Sequence, residues 1–186
     1  MPILGIIASS LLAAAGDFES IATVSLSSSA ANVEFTSIPA TYTHLQIRVL
    51  SRNDRAATNF NNIAFQVNSD TGANYNCHLL RGDGSSVIAA ADTSVSSIDF
   101  IIQPASGATA SVMGAFVLDI LDYANTNKFK TFRGLLGVDN NGSGYSGLMS
   151  AAYRSTSAIT SIKFFSSTSG DITQYSHFAL YGIRSA

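Results

Sequence analysis

Residues 112–123 read Val112-Met113-Gly114-Ala115-Phe116-Val117-Leu118-Asp119-Ile120-Leu121-Asp122-Tyr123. This stretch decides the fold class, because apolar side chains occupy both its odd positions and its even positions. Successive side chains of a strand point to opposite faces, so the pattern predicts a strand in the middle of a sandwich, covered on both sides. A helix is the competing interpretation, since Ala115, Leu118 and Leu121 also fit helical spacing.

The residues that follow favour the strand. Residues 124–127 form a polar turn, and residues 128–133 resume an extended alternation of Lys, Phe and Thr side chains. Aromatic and β-branched residues are typical of strands. Residues 112–133 therefore predict a long β-hairpin at the centre of an all-β domain, with Asp122 at the exit of its first strand.

The rest of the chain repeats this kind of pattern. The clearest alternation is at residues 44–49, where apolar Leu45, Ile47 and Val49 are separated by polar side chains. About ten such segments follow one another, with turn signals between them and no convincing helix. The sequence therefore predicts a single all-β domain over residues 17–186, an antiparallel β-sandwich or jelly roll, preceded by an apolar arm over residues 1–16.

The arm is rich in aliphatic side chains and ends in small residues, as a signal-peptide cleavage site would. A signal peptide is the alternative interpretation, but no Lys or Arg precedes the apolar run. We therefore expect an anchor that docks on this domain or on a neighbour. At about 25 cal/mol per Å² of apolar surface, covering its aliphatic residues would stabilise an assembly by several kcal/mol. These residues are Ile3, Leu4, Ile6, Ile7, Leu11 and Leu12.

Charge is scarce in this chain of 186 residues. Charged residues make up 12% of it, about half the usual share for a soluble domain, and the net charge is −2. No basic field is present to hold nucleic acid, and no apolar run reaches the length of a membrane span, so we expect neither partner. Two explanations of the low charge stay open. The surface is either the Ser/Thr-coated surface of an extracellular protein or one buried against other subunits.

Candidate catalytic and metal-binding residues do not form recognisable sites. Cys77 is the only cysteine, and on a strand it would point away from its neighbour His78, which argues against a Cys–His nucleophile pair. His44 and His177 also lack a partner at metal-ligand spacing. We therefore expect no metal and no cofactor.

Serine and carboxylate patterns are no more specific. Ser146 resembles the centre of a nucleophile elbow, but Leu148 stands where the motif needs glycine. Asp119 and Asp122 lie three residues apart, hence on opposite faces of a strand, whereas a glycosidase needs two converging acids. The sequence predicts that the protein is not an enzyme. We expect Asp119 to pair with a neighbouring strand or to face a subunit seam.

Three further features have a functional interpretation beside a structural one. Residues 139–144 resemble a calcium loop but fit a tight turn better, and residues 81–83 match an integrin-type Arg-Gly-Asp tripeptide but fit a β-turn. Tyr145 and Tyr153 lie near strand ends. Strand packing is one interpretation of these two tyrosines, and contact with a sugar or a subunit is the other.

Several segments together resemble a known group of proteins. They are Pro39-Ala40-Thr41-Tyr42-Thr43-His44 within residues 35–48, Asp122-Tyr123-Ala124-Asn125-Thr126-Asn127 within residues 119–131, and Ser176-His177-Phe178-Ala179-Leu180-Tyr181-Gly182 within residues 174–183, preceded by residues 5–10 and 16–22 of the arm region. The chain resembles small β-rich virion structural proteins of tailed bacteriophages, notably aquatic and cyanobacterial ones. The resemblance spans most of the chain and transfers no catalytic or binding residue.

The resemblance implies a location in the virion and a homo-oligomer, by expectation a homotrimer. It favours a capsid decoration or cement protein that docks on the major capsid protein of the head. A tail, baseplate or tail fibre component that contacts tail proteins is the alternative within the same class. A glycan-binding adsorption module is the alternative from a different class.

Overall fold

A computed structural model describes residues 17–184 of the chain. The described residues form twelve strands and no helix: β1 (Phe18–Ser25), β2 (Asn32–Phe35), β3 (His44–Ser51), β4 (Phe60–Val67), β5 (Tyr75–Gly82), β6 (Val87–Val95), β7 (Ile98–Pro104), β8 (Gly114–Leu121), β9 (Lys130–Asp139), β10 (Gly144–Tyr153), β11 (Ile162–Ser166) and β12 (His177–Ile183). The predicted all-β class is confirmed. The predicted arm over residues 1–16 lies outside the described residues, as do residues 185–186.

The strands form two antiparallel sheets packed as a sandwich. The larger sheet has the order β1-β12-β3-β8-β9-β10-β5-β6, and the smaller has the order β2-β11-β4-β7. The last strand of the chain, β12, therefore lies between β1 and β3 and pairs with both. This architecture confirms the predicted antiparallel sandwich and is compatible with a jelly roll.

The central stretch forms the predicted hairpin. Strands β8 and β9 pair in antiparallel register, with Phe116 opposite Leu136 and Ile120 opposite Phe132. Strand β8 also pairs with β3, so it lies well inside the larger sheet. The strand interpretation of residues 112–123 is correct for residues 114–121, and the helical alternative is wrong.

Among residues 17–184 only one face of β8 is covered, which corrects the expectation that both would be. Phe116, Leu118 and Ile120 are buried against the smaller sheet, whereas Ala115 is exposed and Val117 is half-buried. The reason is that the fold has only two sheets. A sandwich of two sheets covers one face of each, and no described element packs on the other face of the larger sheet.

Aromatic rings join the two sheets at the centre of the core. Phe164 of the smaller sheet lies 6.0 Å from Phe116 and 5.4 Å from Phe178, both of the larger sheet, measured between ring centroids. Its neighbour Phe65 lies 5.3 Å from Phe132. Ring pairs at such distances add to the free energy of burial, so this cluster fixes how the sheets sit on each other.

The β8–β9 connection is braced by a buried ammonium group. Lys130 is fully buried, and its Nζ donates hydrogen bonds to the backbone carbonyls of Asn125, Lys128 and Thr156. Burial lowers the pKa of this amine. Asp122 forms an ion pair with Lys128, and its backbone N–H donates to His44 Nδ1 at 3.0 Å. The turn after β8 is thus held by charge and carbonyl contacts.

Adjacent residues of β8 should respond oppositely to the same substitution. Leu118→Asp places a carboxylate in the core between the sheets, and we expect it to abolish cooperative folding or to cost more than about 4 kcal/mol of unfolding free energy. Val117→Asp places the same group on the outer face and should cost less than about 1 kcal/mol. Thermal unfolding followed by circular dichroism measures both. Equal losses would contradict the assignment of these two faces.

Candidate functional site

The outer face of the larger sheet, which points away from the smaller sheet, carries a continuous line of apolar side chains. We call it the leucine row: Val117, Leu135, Leu148, Leu80 and Ala89, each the direct cross-strand neighbour of the next. It crosses β8, β9, β10, β5 and β6, a distance of about 19 Å at the usual spacing of strands. Its leucines are half-exposed: 56% for Leu135, 56% for Leu148 and 49% for Leu80.

Beside the leucine row runs a trough of small residues. Each trough residue lies two positions along its own strand from a member of the leucine row, on the same face of the sheet. Successive cross-strand neighbours form the line: Ala115, Gly137, Ser146 and Gly82. Exposed Leu50 and Val87 continue this line at its two ends. Small side chains between larger ones leave a depression in the surface. An open hollow of about 530 Å³ lies around Leu50, Val117 and Leu135, and another of about 610 Å³ lies around Leu80 and Leu148.

A polar row borders the leucine row on its other side. Arg133 Nη2 lies 2.8 Å from Asp119 Oδ2, and Gln46 Nε2 donates to Asp119 Oδ1 at 2.9 Å. Arg48 Nε donates in turn to Gln46 Oε1 at 2.9 Å. This confirms the expectation that Asp119 pairs with neighbouring strands. The polar groups of this row are therefore already paired with one another in the single chain.

An aromatic platform ends the apolar surface towards β1. The Phe18 and Tyr181 rings stack with centroids 4.8 Å apart. The Arg48 guanidinium lies over both, 5.3 Å from the Phe18 centroid and 5.4 Å from the Tyr181 centroid. The platform, the polar row and the sheet edge at β6 together frame the leucine row and its trough.

Tyr153 is a core residue, which corrects its assignment as a possible surface contact. Its side chain is 3% exposed, and its ring stacks on Tyr75 with centroids 5.1 Å apart. Its hydroxyl donates to Asp70 Oδ2 at 2.8 Å. The strand alternation of β10 explains the outcome, since Tyr153 has the same parity as buried Met149 and so faces the smaller sheet.

Tyr145 does not present an open ring either. It is half-buried on the inner side of β10, and its ring meets Phe60 edge-on at 5.0 Å. The Arg81 guanidinium lies 4.7 Å from the centroid of the same ring. A sugar-stacking platform needs an accessible ring face, so these contacts argue against that use of Tyr145. The six predicted anchor residues, Ile3, Leu4, Ile6, Ile7, Leu11 and Leu12, lie outside the described residues.

The side chains of the Arg-Gly-Asp tripeptide, at the end of β5 and in the turn that follows, are engaged in contacts within the chain. The backbone N–H groups of Ser86 and Ser85, with their hydroxyls, donate to the Asp83 carboxylate and hold its pKa far below its usual range. The Asp83 N–H donates to the Ser86 carbonyl at 3.2 Å, and the Arg81 guanidinium packs on Tyr145. Asp83 thus lies in a tight turn, as the structural interpretation expected, whereas Arg81 and Gly82 are the last residues of β5.

The remaining candidate reactive groups are the cysteine and the possible metal ligands. Cys77 is fully buried, and burial raises the pKa of its thiol to about 12, which disfavours the thiolate form. Within residues 17–184 no group of three or more His, Cys, Asp or Glu side chains could hold a metal ion. The same part of the chain has no helix long and apolar enough to cross a membrane.

Sequence inspection missed the leucine row, although a signal for it was present. Strands β5, β9 and β10 contain adjacent apolar pairs, Leu79-Leu80, Leu135-Leu136 and Leu148-Met149, each of which puts one apolar side chain on each face. What the pairs could not reveal is that their outer members align. That alignment depends on the register between β5 and β10, which are far apart in the sequence.

The Tyr153–Asp70 contact should make stability depend on pH. The Gly72 N–H, followed by the Asn74 and Tyr153 side chains, lowers the pKa of the Asp70 carboxyl, which therefore stabilises the fold above its unfolded pKa of about 3.9. Tyr153→Phe should cost about 1 kcal/mol of unfolding free energy at pH 7, a modest value because Asp70 is partly exposed to solvent.

That difference should shrink as pH falls below about 4 and the carboxylate of the wild-type protein is protonated. Urea unfolding at several pH values measures it. Tyr145→Phe is the control, because its hydroxyl makes no hydrogen bond with another described residue and its removal should have the same small effect at every pH. A Tyr153→Phe loss that is independent of pH would refute the coupling.

Comparisons with protein families, curated proteins and solved structures found no relative of this chain. The geometry of the outer face is therefore the structural basis for a functional proposal.

Proposed function

We propose that this protein is a structural subunit of a bacteriophage virion, a capsid decoration or cement protein that self-associates and docks on the major capsid protein of the head. The observation that carries the proposal is the leucine row. It is an exposed apolar line across five adjacent strands on a face that no described element of the chain covers.

The size of the exposed leucine surface supports an assembly role. Burying a leucine side chain fully is worth about 1.5–3 kcal/mol, so covering the exposed half of Leu80, Leu135 and Leu148 contributes about 1 kcal/mol each. Contiguous apolar patches on soluble monomers commonly mark interaction sites, whereas scattered apolar residues do not. A subunit that is packed against other subunits gains this free energy of burial.

The charge distribution supports the same role. Asp119, Arg133 and Gln46 satisfy one another beside the leucine row, so a partner can approach that border without supplying matching charges. Uncompensated charges at such a border would have to be desolvated at a cost. The low overall share of charged residues, 12%, fits a surface that is largely shared with other subunits.

The phage assignment itself rests on the resemblance to β-rich virion proteins, and so does the expected homotrimer. A tail, baseplate or fibre component uses the same kind of subunit contact and is the alternative within this class. A glycan-binding role has no comparable support, because Tyr153 is buried and the Tyr145 ring is engaged by Phe60 and Arg81.

The test is to mix the purified protein with undecorated phage heads and, separately, with tails, and to image both by cryo-electron microscopy. We expect density that repeats over the head lattice. Density on tails alone would replace the cement role by the tail alternative, and density on neither would overturn the virion assignment. Leu148→Asp should lower head occupancy by roughly tenfold or more, whereas Thr131→Asp, an exposed position of β9 away from the leucine row, should not.

A further inference from the structure

The leucine row and its trough form a narrow strip. The two lines of residues lie about 7 Å apart along the strands, and they extend about 19 Å across them. Such a strip offers a few hundred Å² at most, whereas a stable contact between whole domains buries about 800 Å² on each partner. Its dimensions therefore suit a single segment of polypeptide better than the broad face of another domain.

We propose that residues 2–15 of a neighbouring copy of this chain bind along the trough, with their aliphatic side chains against the leucine row. The inference rests on the proposed self-association and deepens it, because it names both sides of the contact. Residues 2–15 contain no charged side chain and carry six Ile and Leu residues. The strip they would occupy is mostly apolar. At its border Asp119 is paired with Arg133, and the Arg48 guanidinium lies over the Phe18 and Tyr181 rings.

The trough has room for these side chains. A Cβ atom added to Gly137 would meet no other atom within 4 Å, so the surface above this residue is open. Ala115 and Ser146 flank Gly137 on the adjacent strands and add little bulk. The hollow of about 530 Å³ beside them is lined by Leu50, Val117 and Leu135 and can hold several aliphatic groups.

The direction of β1 points to a neighbouring copy. The Arg184 N–H donates to the Asp17 carbonyl at 2.9 Å, so the chain at residue 17 still follows the line of β1. Strand β1 runs towards the end of the sheet that carries the leucine row. Thr23, near the end of β1, is aligned through Ala179 and Arg48 with Val117 of that row. A chain that continues this line backwards from residue 17 leaves the sheet at its other end.

The reach of the segment is sufficient. Fourteen residues span up to about 46 Å when extended, more than twice the length of the leucine row. A segment that leaves one copy and binds on the next makes a head-to-tail contact, and such contacts close into rings when the rotation between subunits allows it. The proposed trimer is one such ring.

Disulfide trapping between two differently substituted copies tests the inference directly. One purified variant carries Ile7→Cys and the other Leu148→Cys, and they are mixed and mildly oxidised; the native Cys77 is fully buried. We expect a disulfide-linked heterodimer on a non-reducing gel. Thr131→Cys in place of Leu148→Cys is the control and should cross-link far less, because Thr131 lies on the same face but outside both the leucine row and the trough.

A chain that carries both Ile7→Cys and Leu148→Cys separates the two possible sources of the segment. Dimers and higher ladders support binding between copies, whereas an exclusively intramolecular disulfide would overturn it. Equal cross-linking at residues 131 and 148 would also overturn it. The experiment needs no phage particle. Cross-linking without binding to heads or tails would therefore overturn the virion role and support the segment contact. Binding to heads or tails without cross-linking would support the virion role and overturn the segment contact.

Filling the trough provides a second test that leaves the core untouched. Gly137→Val adds a β-branched side chain to open space on a strand and should keep the fold, while it blocks the trough. We expect oligomer formation in light scattering to weaken roughly a hundredfold or more, as it should on deletion of residues 2–15. Thr131→Val is the matched control and should leave self-association unchanged. Unaltered association of a folded Gly137→Val protein would contradict the proposed site.

Discussion

The contact of the Phe164 ring with rings of the opposite sheet is the interaction on which the rest of the structure depends. Phe164 meets Phe116 and Phe178, and its sheet neighbour Phe65 meets Phe132, so strands from the middle of the larger sheet are tied to the smaller one. Once these rings are packed, it is fixed which alternate residues of β8, β9 and β12 face the smaller sheet. The residues between them must then face outwards, and the position of the leucine row on the outer face is a consequence.

This constraint bears on the proposed function through the outer face of the larger sheet. Eight strands face four, and all the residues of the leucine row lie on the side that the smaller sheet cannot cover. An ordinary soluble sandwich would place polar side chains at Leu80, Leu135 and Leu148. The polar row beside them follows that rule and is satisfied internally through Asp119 and Arg133. The outer face therefore combines an exposed apolar strip with a border at which Asp119 and Arg133 are paired.

Local patterns in the sequence were enough for the fold class, because strand alternation and turn residues are short-range signals. They identified the β8–β9 hairpin and the alternation at residues 44–49, and they put Cys77 and His78 on opposite faces of their strand, as β5 has them. They failed where side-chain direction depends on distant partners. The sequence left open whether Tyr153 packs in the core or contacts a partner, because its contacts Tyr75 and Asp70 are far away in the sequence. Both faces of β8 were expected to be covered, because two apolar faces do not indicate how many sheets there are.

The position of β12 makes the larger sheet depend on residues far apart in the sequence. Strand β12 lies between β1 and β3 and pairs with both, so β1 has no partner in the sheet until residues 177–183 have been synthesised. A product that ends before residue 177 lacks the partner of β1 and cannot hold residue 17 at the sheet edge. Such closure of the two ends requires contacts of very long sequence separation, which form late and slowly. Chains truncated before residue 177 would thus be unable to complete the larger sheet, and this follows from the strand order alone.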